Sequence, residues 1–507
     1  MTNQRTNIQG ELFPGGLPAQ FVSDIDQQNP WWRNKPLPPL PEFRRWPFEG
    51  LLKRIKREPP LARITVLRGP RQIGKTTLQY QLIERLLSEG VAPRRILRVQ
   101  FDELPSFRSV KNDEPILRIV EWYSAHVLKD DLNATARRKE PSYLFFDEVQ
   151  NLAHWAIQLK ALVDRTDVRC VVTGSSALRI EQGRDSLAGR IETLEVGPFR
   201  LSEIALVRGF GTLKPFEAVN GFGKWSQARF WRELREHGRD NRRLLDLAFA
   251  AFSERGGYPL AQRPDVIWED VAQQLNETVV KRVIQHDLRV GERGRRRDEQ
   301  LLEEMFRMSA RYCGQAPHVT TLAKEVQQSL AANIGVQRIR KYLEFLDSAL
   351  LIRAIQPVEI RLKKRKGSAK LCISDHALRA AWLDEVVPLD SKQLDASPEQ
   401  ADLAGRIAES VAGYFFSSIG VGVGHLPARG DVEEVDFVLT AGDHRVPVEI
   451  KFQRRIDPVR DTRGLRNFLS KKVNRARVGV LVTRDDTTID LPDGIVALPL
   501  KSLLLVR

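Results

Sequence analysis

Between Arg63 and Phe199 short apolar runs alternate with longer stretches of helical period: RITVLRG, ILRVQFD, YLFFDE, VRCVVTGSS and IETLEVGPF are the runs. Each is continuous in apolar character rather than alternating, and each is rich in β-branched and aromatic residues. This pattern predicts strands of a parallel sheet buried on both faces, with helices in the crossovers. Residues 200–295 read as mostly helical, and the segment RFWRELREHGRDNRRLLDLAFAAFSERGGYP breaks at Gly256, Gly257 and Pro259. A charged hinge, GERGRRRDEQ, leads into three amphipathic segments over 300–356, whose middle turn SLAANIG predicts a helix-turn-helix. LIRAIQPVEI and AKLCISD then flank RLKKRKGS as a basic hairpin. The stretch VVPLDSKQLDASPEQ reads as a linker before a last α/β unit over 400–507.

The first 50 residues carry QNPWWRNKPLPPLPEFRRWPF, whose prolines forbid a regular helix, so an extended arm anchored by Trp31, Trp32 and Trp46 is expected. The tryptophans admit two roles, as apolar plugs on the neighbouring domain or as stacking platforms for bases. A length of 507 residues predicts three or four domains, and 42% hydrophobic with 29% charged residues is a globular balance. Lys and Arg outnumber Asp and Glu by 80 to 65, a net charge of +15 that suits a polyanionic partner. Three scattered cysteines, Cys170, Cys313 and Cys372, support neither a disulfide framework nor a Cys-rich metal site. Without a membrane-length apolar run or a signal peptide, a soluble cytoplasmic protein with no membrane partner is expected.

GPRQIGKT follows a strand and opens a helix, the context in which G-x-x-x-x-G-K-[ST] binds phosphate. The N–H groups and side chains of Gly69, Pro70, Arg71, Gln72, Ile73, Gly74, Lys75, Thr76 and Thr77 are expected to cradle ATP. Lys75 would reach the outer phosphates and the Thr76 hydroxyl would hold magnesium. YLFFDE ends in two acids, of which Asp147 suits magnesium and Glu148 the attacking water. A further strand, ILRVQFD, intervenes before these acids, an order that resembles the additional-strand ATPases. Ser175, at the tip of the next strand, is a candidate to orient the water, or part of an ordinary turn. Arg190 stands where ring-forming members of that class place an arginine finger, or is a surface arginine.

GPRQIGKTT, FFDEVQ, TGSS and SLAGRIETLEVGPFRLSEI together resemble a family of prokaryotic AAA+ ATPases, as do the QNPWW arm and the ERGGYP turn. In many members a winged helix and a nuclease-like domain follow, and KLCISDHALRAAWL with EEVDFVLTAGDHRVPVEIKF is similar to that continuation. The resemblance implies an α/β fold class: an AAA+ P-loop parallel sheet with a helical lid, then a winged helix and a small α/β nuclease-like domain. The domains expected are an arm over 1–50, the P-loop AAA+ core over 51–205, a lid over 206–295, a winged helix with a basic wing over 296–385, and the nuclease-like domain over 386–507. By analogy with related switch ATPases, Pro259 is expected to touch adenine, and a homo-oligomer is expected.

VDFVLTAGDHRVPVEIKF reads as two strands around an AGDH turn. Centring the turn between Gly442 and Asp443 sets Asp436 opposite Glu449, and sets Pro447, which has no N–H, opposite Val438. Two facing carboxylates are destabilising unless solvent or a cation separates them. Lys451 shares their face, and Glu409 on the preceding helix supplies a third carboxylate. Glu, Asp and Glu-x-Lys resemble the PD-(D/E)XK nuclease constellation, which implies metal at Glu409, Asp436 and Glu449 and a catalytic Lys451. An Asp-Phe step here replaces a prominent Pro-Asp. An active nuclease, a nuclease-like fold that only binds DNA, and unrelated surface charges all stand open. Gln337, Arg338 and Lys341 line the outer side of a candidate recognition helix, and Arg361, Lys363, Lys364, Arg365 and Lys366 form a candidate wing for phosphates, or a solvated loop. Expected functions are an ATP-driven motor or clamp on branched or damaged DNA, a nucleotide-dependent switch of signalling or defence, or a loader for a partner protein.

Overall fold

The computed structural model describes residues 17–102, 114–152, 154–174, 187–216, 222–286, 298–359, 367–428, 430 and 433–507. The chain divides into two compact units, Met1–Gly69 with Gly74–Val196, and Pro70–Ile73 with Gly197–Arg507.

In the first unit β1 (Ile64–Arg68), β2 (Ile96–Gln100), β3 (Tyr143–Asp147), β4 (Arg169–Gly174) and β5 (Ile191–Glu195) form a sheet of order β2-β3-β4-β1-β5. Every pairing is parallel. Side chains alternate between two cores. Ile64, Val66, Leu144, Phe146, Cys170 and Val172 join one cluster with Ile119 and Leu159, while Leu67, Tyr143, Phe145 and Val171 join the other with Leu78 and Leu82. Burial on both faces explains why β1 to β4 read as largely apolar runs, whereas β5, at an edge of the sheet, is only partly buried. In space β4 separates β1 from β3, the arrangement of the additional-strand ATPases.

The segment expected as an extended arm is helical over Ala19–Gln28, where Phe21 and Ile25 supply the buried face. The prolines act only beyond it, in a short 3-10 turn, Pro30–Arg33, and an irregular stretch. Four side chains here bond to the backbone of β2. Gln28 accepts from Gln100 N–H at 2.7 Å, and Asn29 accepts from Arg98 N–H at 2.7 Å while donating to Arg98 C=O at 2.8 Å. The indoles of Trp31 and Trp32 donate to Ile96 C=O at 3.1 and 2.8 Å. Trp31 is buried, so it packs as a plug. Trp46 is half-buried.

The second unit begins with helices Leu201–Val207, Ala228–Asp240, Arg242–Arg255 and Trp268–Leu275. The break falls at Gly256, whose φ of 71° is left-handed and whose missing Cβ would lie 2.0 Å from Asp375 Oδ1. Helices Glu299–Arg311, Val319–Leu330 and Val336–Ser348 precede an antiparallel pair, β6 (Ile352–Ile355) and β7 (Lys370–Ile373). After the helix Ala401–Ser418 comes a mixed sheet of order β12-β11-β10-β9-β8, built from β8 (Gly422–Leu426), β9 (Val435–Ala441), β10 (His444–Lys451), β11 (Gly479–Thr483) and β12 (Ile495–Pro499). β9 and β10 pair antiparallel with Pro447 opposite Val438, the register expected from the turn. The segments 206–295 and 386–507, expected as separate domains, interlock. Phe216 N–H donates to Leu505 C=O at 2.8 Å, Arg507 N–H donates to Phe216 C=O at 2.9 Å, and Arg235 pairs with Asp486. Among the described residues no helix is long and apolar enough to cross a membrane.

Candidate functional site

β1 delivers the chain into the glycine loop, where Gln72 and Gly74 are left-handed at φ 60° and 89°, before the helix Lys75–Ser88 begins. The Lys75 side chain is buried and its Nζ donates to Gly69 C=O at 2.9 Å, closing the loop on itself. Thr76 Oγ1 donates to Asp147 Oδ2 at 2.8 Å, so the hydroxyl of the loop helix meets the acid at the tip of β3. Thr77 follows half-buried, while Pro70 and Ile73 are buried, Arg71 is half-buried and Gln72 exposed. A hydroxyl beside a carboxylate at the end of a glycine loop is a set of hard oxygen donors that fits magnesium bound with a nucleotide.

Three residues outside the sequence expectation complete this site. Thr173 at the end of β4 donates to Asp147 Oδ1 and accepts from the Glu148 N–H at 3.2 Å. Gln150 donates to the Glu148 carboxylate, and Glu148 itself is left-handed at φ 54°. Arg98 on β2 pairs with Asp147 at 2.9 Å, both side chains only 1% exposed, and its guanidinium lies 4.3 Å from the centre of the Tyr80 ring. Arg98 had left a signal in the sequence: a cation inside the apolar run ILRVQFD needs a buried partner. Ser175 lies outside the described residues. Arg190, ahead of β5, bonds Asp164 of its own chain at 3.0 Å through Nη2 and is partly exposed. Pro259 is half-buried in the second unit, beside Gly257, whose N–H donates to Asp375 at 2.6 Å.

On the mixed sheet the expected carboxylates do meet, but around a cation that the sequence did not suggest. Lys370 of β7, 2% exposed, bonds Glu409 and lies 3.2 Å from Asp436 and 3.8 Å from Glu434. Asp436 Oδ2 accepts the Ile450 N–H at 2.8 Å. Glu449 turns to Lys451 at 2.7 Å. Its other oxygen is buried without a hydrogen-bond partner among the described residues. Burial and the neighbouring Asp436 charge push Glu449 up to about 8 and hold Glu409 well above the carboxylate range. Burial opposes the charge of Asp436, yet Lys370 holds its acid below the usual range. Among the described residues no three His, Cys, Asp or Glu form a group that could hold a metal ion, and the Lys370 ammonium lies against two of the three expected ligands, Glu409 and Asp436.

On the helix Val336–Ser348, Gln337, Arg338 and Lys341 are exposed while Ile339 and Leu346 are buried. Arg338 is drawn toward Asp298 at 3.4 Å. Arg361, Lys363, Lys364, Arg365 and Lys366 lie outside the described residues.

Against known families, residues 61–205 match the AAA domain, and 248–387 and 417–503 match two domains of unknown function, DUF8612 and DUF4143. Residues 61–205 carry an AAA-type P-loop ATPase fold. The AAA domain thus spans the glycine loop, Asp147, Glu148, Thr173 and Arg190 in one match. The chain is 22% identical over 392 residues to an uncharacterized protein of Haemophilus influenzae, covering 77% of this chain and 82% of that one. It is 29% identical over 146 residues to an uncharacterized protein of Methanocaldococcus jannaschii, covering 28% of each. Among solved structures, the Walker-type ATPase of Pyrococcus abyssi aligns at 14% identity over 66% of this chain and 94% of that one, with a TM-score of 0.39.

Proposed function

We propose that this chain is an ATP-hydrolysing AAA+ protein that acts on DNA as an oligomeric motor or clamp. The observation that carries it is the Thr76 hydroxyl bonded to Asp147 at 2.8 Å directly after a glycine loop closed by Lys75. Bound magnesium supplies neutralisation of the phosphate charge. Lys75 contributes a fixed positive charge to the outer phosphates, and the loop N–H groups orient them. Glu148, steered by Gln150, polarises the attacking water, a step that Ser175 is proposed to assist. Arg190 completes a neighbouring subunit's site once it leaves Asp164.

The division of labour follows the expected ranges: an N-terminal segment over 1–50, the ATPase core over 51–205, a lid over 206–295, a winged helix over 296–385 and a nuclease-like domain over 386–507. Three helices followed by an antiparallel pair support the winged helix. The exposed Gln337, Arg338 and Lys341, the basic run of Arg361, Lys363, Lys364, Arg365 and Lys366 in the sequence, and the net charge of +15 support DNA as the partner. A second function, a nucleotide-dependent switch or loader with a catalytically silent nuclease-like domain, is favoured by one observation, the Lys370 ammonium among the carboxylates. ATPase rates with single-stranded, duplex and four-way DNA, and electrophoresis of the same samples, test the two. Turnover stimulated by DNA with strand displacement supports the motor; turnover indifferent to every DNA supports the switch.

A further inference from the structure

We propose that Lys370 is the built-in cation of the carboxylate cluster on the mixed sheet, so that no divalent metal binds there and the module holds nucleic acid without cutting it. This rests on the nuclease-like reading of 386–507 and departs from the metal chemistry which that resemblance implies.

The geometry leaves little room for a second cation. An ammonium has three protons, and Lys370 faces three carboxylates: Glu409 in a hydrogen bond, Asp436 at 3.2 Å and Glu434 at 3.8 Å. The second oxygen of Asp436 is taken by the Ile450 N–H. Glu449 gives one oxygen to Lys451, so only its second oxygen, buried without a hydrogen-bond partner among the described residues, is left for a ligand. Lys370 is buried, its backbone pairs with Ile355 in the β6–β7 ladder, and its ammonium lies 5.1 Å from the centre of the Phe437 ring. A dication placed between Glu409 and Asp436 would meet a buried positive charge at contact distance. With the ammonium removed, the same carboxylates face each other uncompensated, which is the condition under which a metal ion gains most by binding.

The test uses the full chain, free of nucleotide, with manganese as the probe and the thermal midpoint as the readout. Wild type, Asp436→Asn, Lys370→Ala and the Lys370→Ala/Asp436→Asn double variant are compared, so that any manganese response of the phosphate-loop site is common to all four. The expected result is the same small shift in wild type and Asp436→Asn, an additional rise in Lys370→Ala, and loss of that rise in the double variant. An additional shift in wild type that Asp436→Asn removes overturns the proposal, as does a folded Lys370→Ala with no extra response. If Lys370→Ala does not fold, incubation of labelled duplex DNA with manganese decides: wild type leaves it intact, and cleavage abolished by Asp436→Asn overturns the inference. Failure to bind DNA at all would overturn both the proposed function and the nucleic-acid half of this inference, and the manganese comparison would then decide the metal half alone.

Discussion

The left-handed backbone at Glu148 turns this residue away from the direction of β3, so that Asp147 and Glu148, adjacent in sequence, take different side-chain partners. Asp147 is held by Thr76, Thr173 and Arg98, while the Glu148 carboxylate accepts from Gln150 and its N–H donates to Thr173. Lys75→Ala is expected to abolish binding of a fluorescent ATP analogue. Glu148→Gln is expected to retain that binding and lose about 100-fold or more in turnover, since it removes only the group acting on water. Unchanged turnover in both variants would reject the ATPase. A second residue-scale consequence concerns acid. Burial and the nearby Lys370 charge push His425 down to about 4, its Nε2 lying 2.9 Å from Ser368 C=O. A histidine kept neutral in the fold stabilises fully above the unfolded value near 6.5. That stability drains as pH falls toward 4, by up to about 3 kcal/mol. Melting midpoints between pH 7 and 4.5 should fall more steeply for wild type than for His425→Gln. Lys370 was invisible in the sequence for a physical reason: its partners lie 39 and 66 positions away, beyond the reach of any local pattern. The facing of Asp436 and Glu449, by contrast, was legible, because a two-residue turn and a proline fix the register of a hairpin.

At the scale of elements, β2 carries the least expected chemistry. Arg98 and Asp147 are an ion pair shut away from water, and removing one partner strands the other. Arg98→Met is expected to cost about 3–5 kcal/mol of stability, and adding Asp147→Asn should return part of that loss. Chemical denaturation of the two singles and the double provides the coupling; additive losses would mean that the pair is not energetically linked. The strands β1 to β4 could be read from the sequence because burial on both faces makes them largely apolar without alternation. The helix Ala19–Gln28 escaped notice because only Phe21 and Ile25 of its ten residues are buried, too few for a clear stripe beside a proline-rich neighbour.

At the scale of the whole molecule, the fold beyond residue 196 was harder to partition than to recognise. Contacts such as Phe216 with Leu505 and Arg507 join segments that composition alone would separate, since long-range backbone pairing leaves no mark on local periodicity. Assembly offers its own test. If Arg190 serves a neighbouring subunit, mixtures of Arg190→Ala and Lys75→Ala chains should regain part of the ATPase rate that each lacks alone; verified mixed assemblies without any recovery would reject action in trans. The row of side chains from Gln28 to Trp32 has a different consequence. β2 is an outer strand of the parallel sheet, and a bare outer strand invites a strand from another molecule to add to it. Here Gln28, Asn29, Trp31 and Trp32 occupy the carbonyls and N–H groups that an incoming strand would need, a surrogate strand made of side chains. Deleting residues 1–34 should therefore do more than lower stability: it should make the protein sticky along one line. Light scattering of the truncated chain is expected to show larger, concentration-dependent species than the full chain at equal concentration, with Asn29→Ala intermediate.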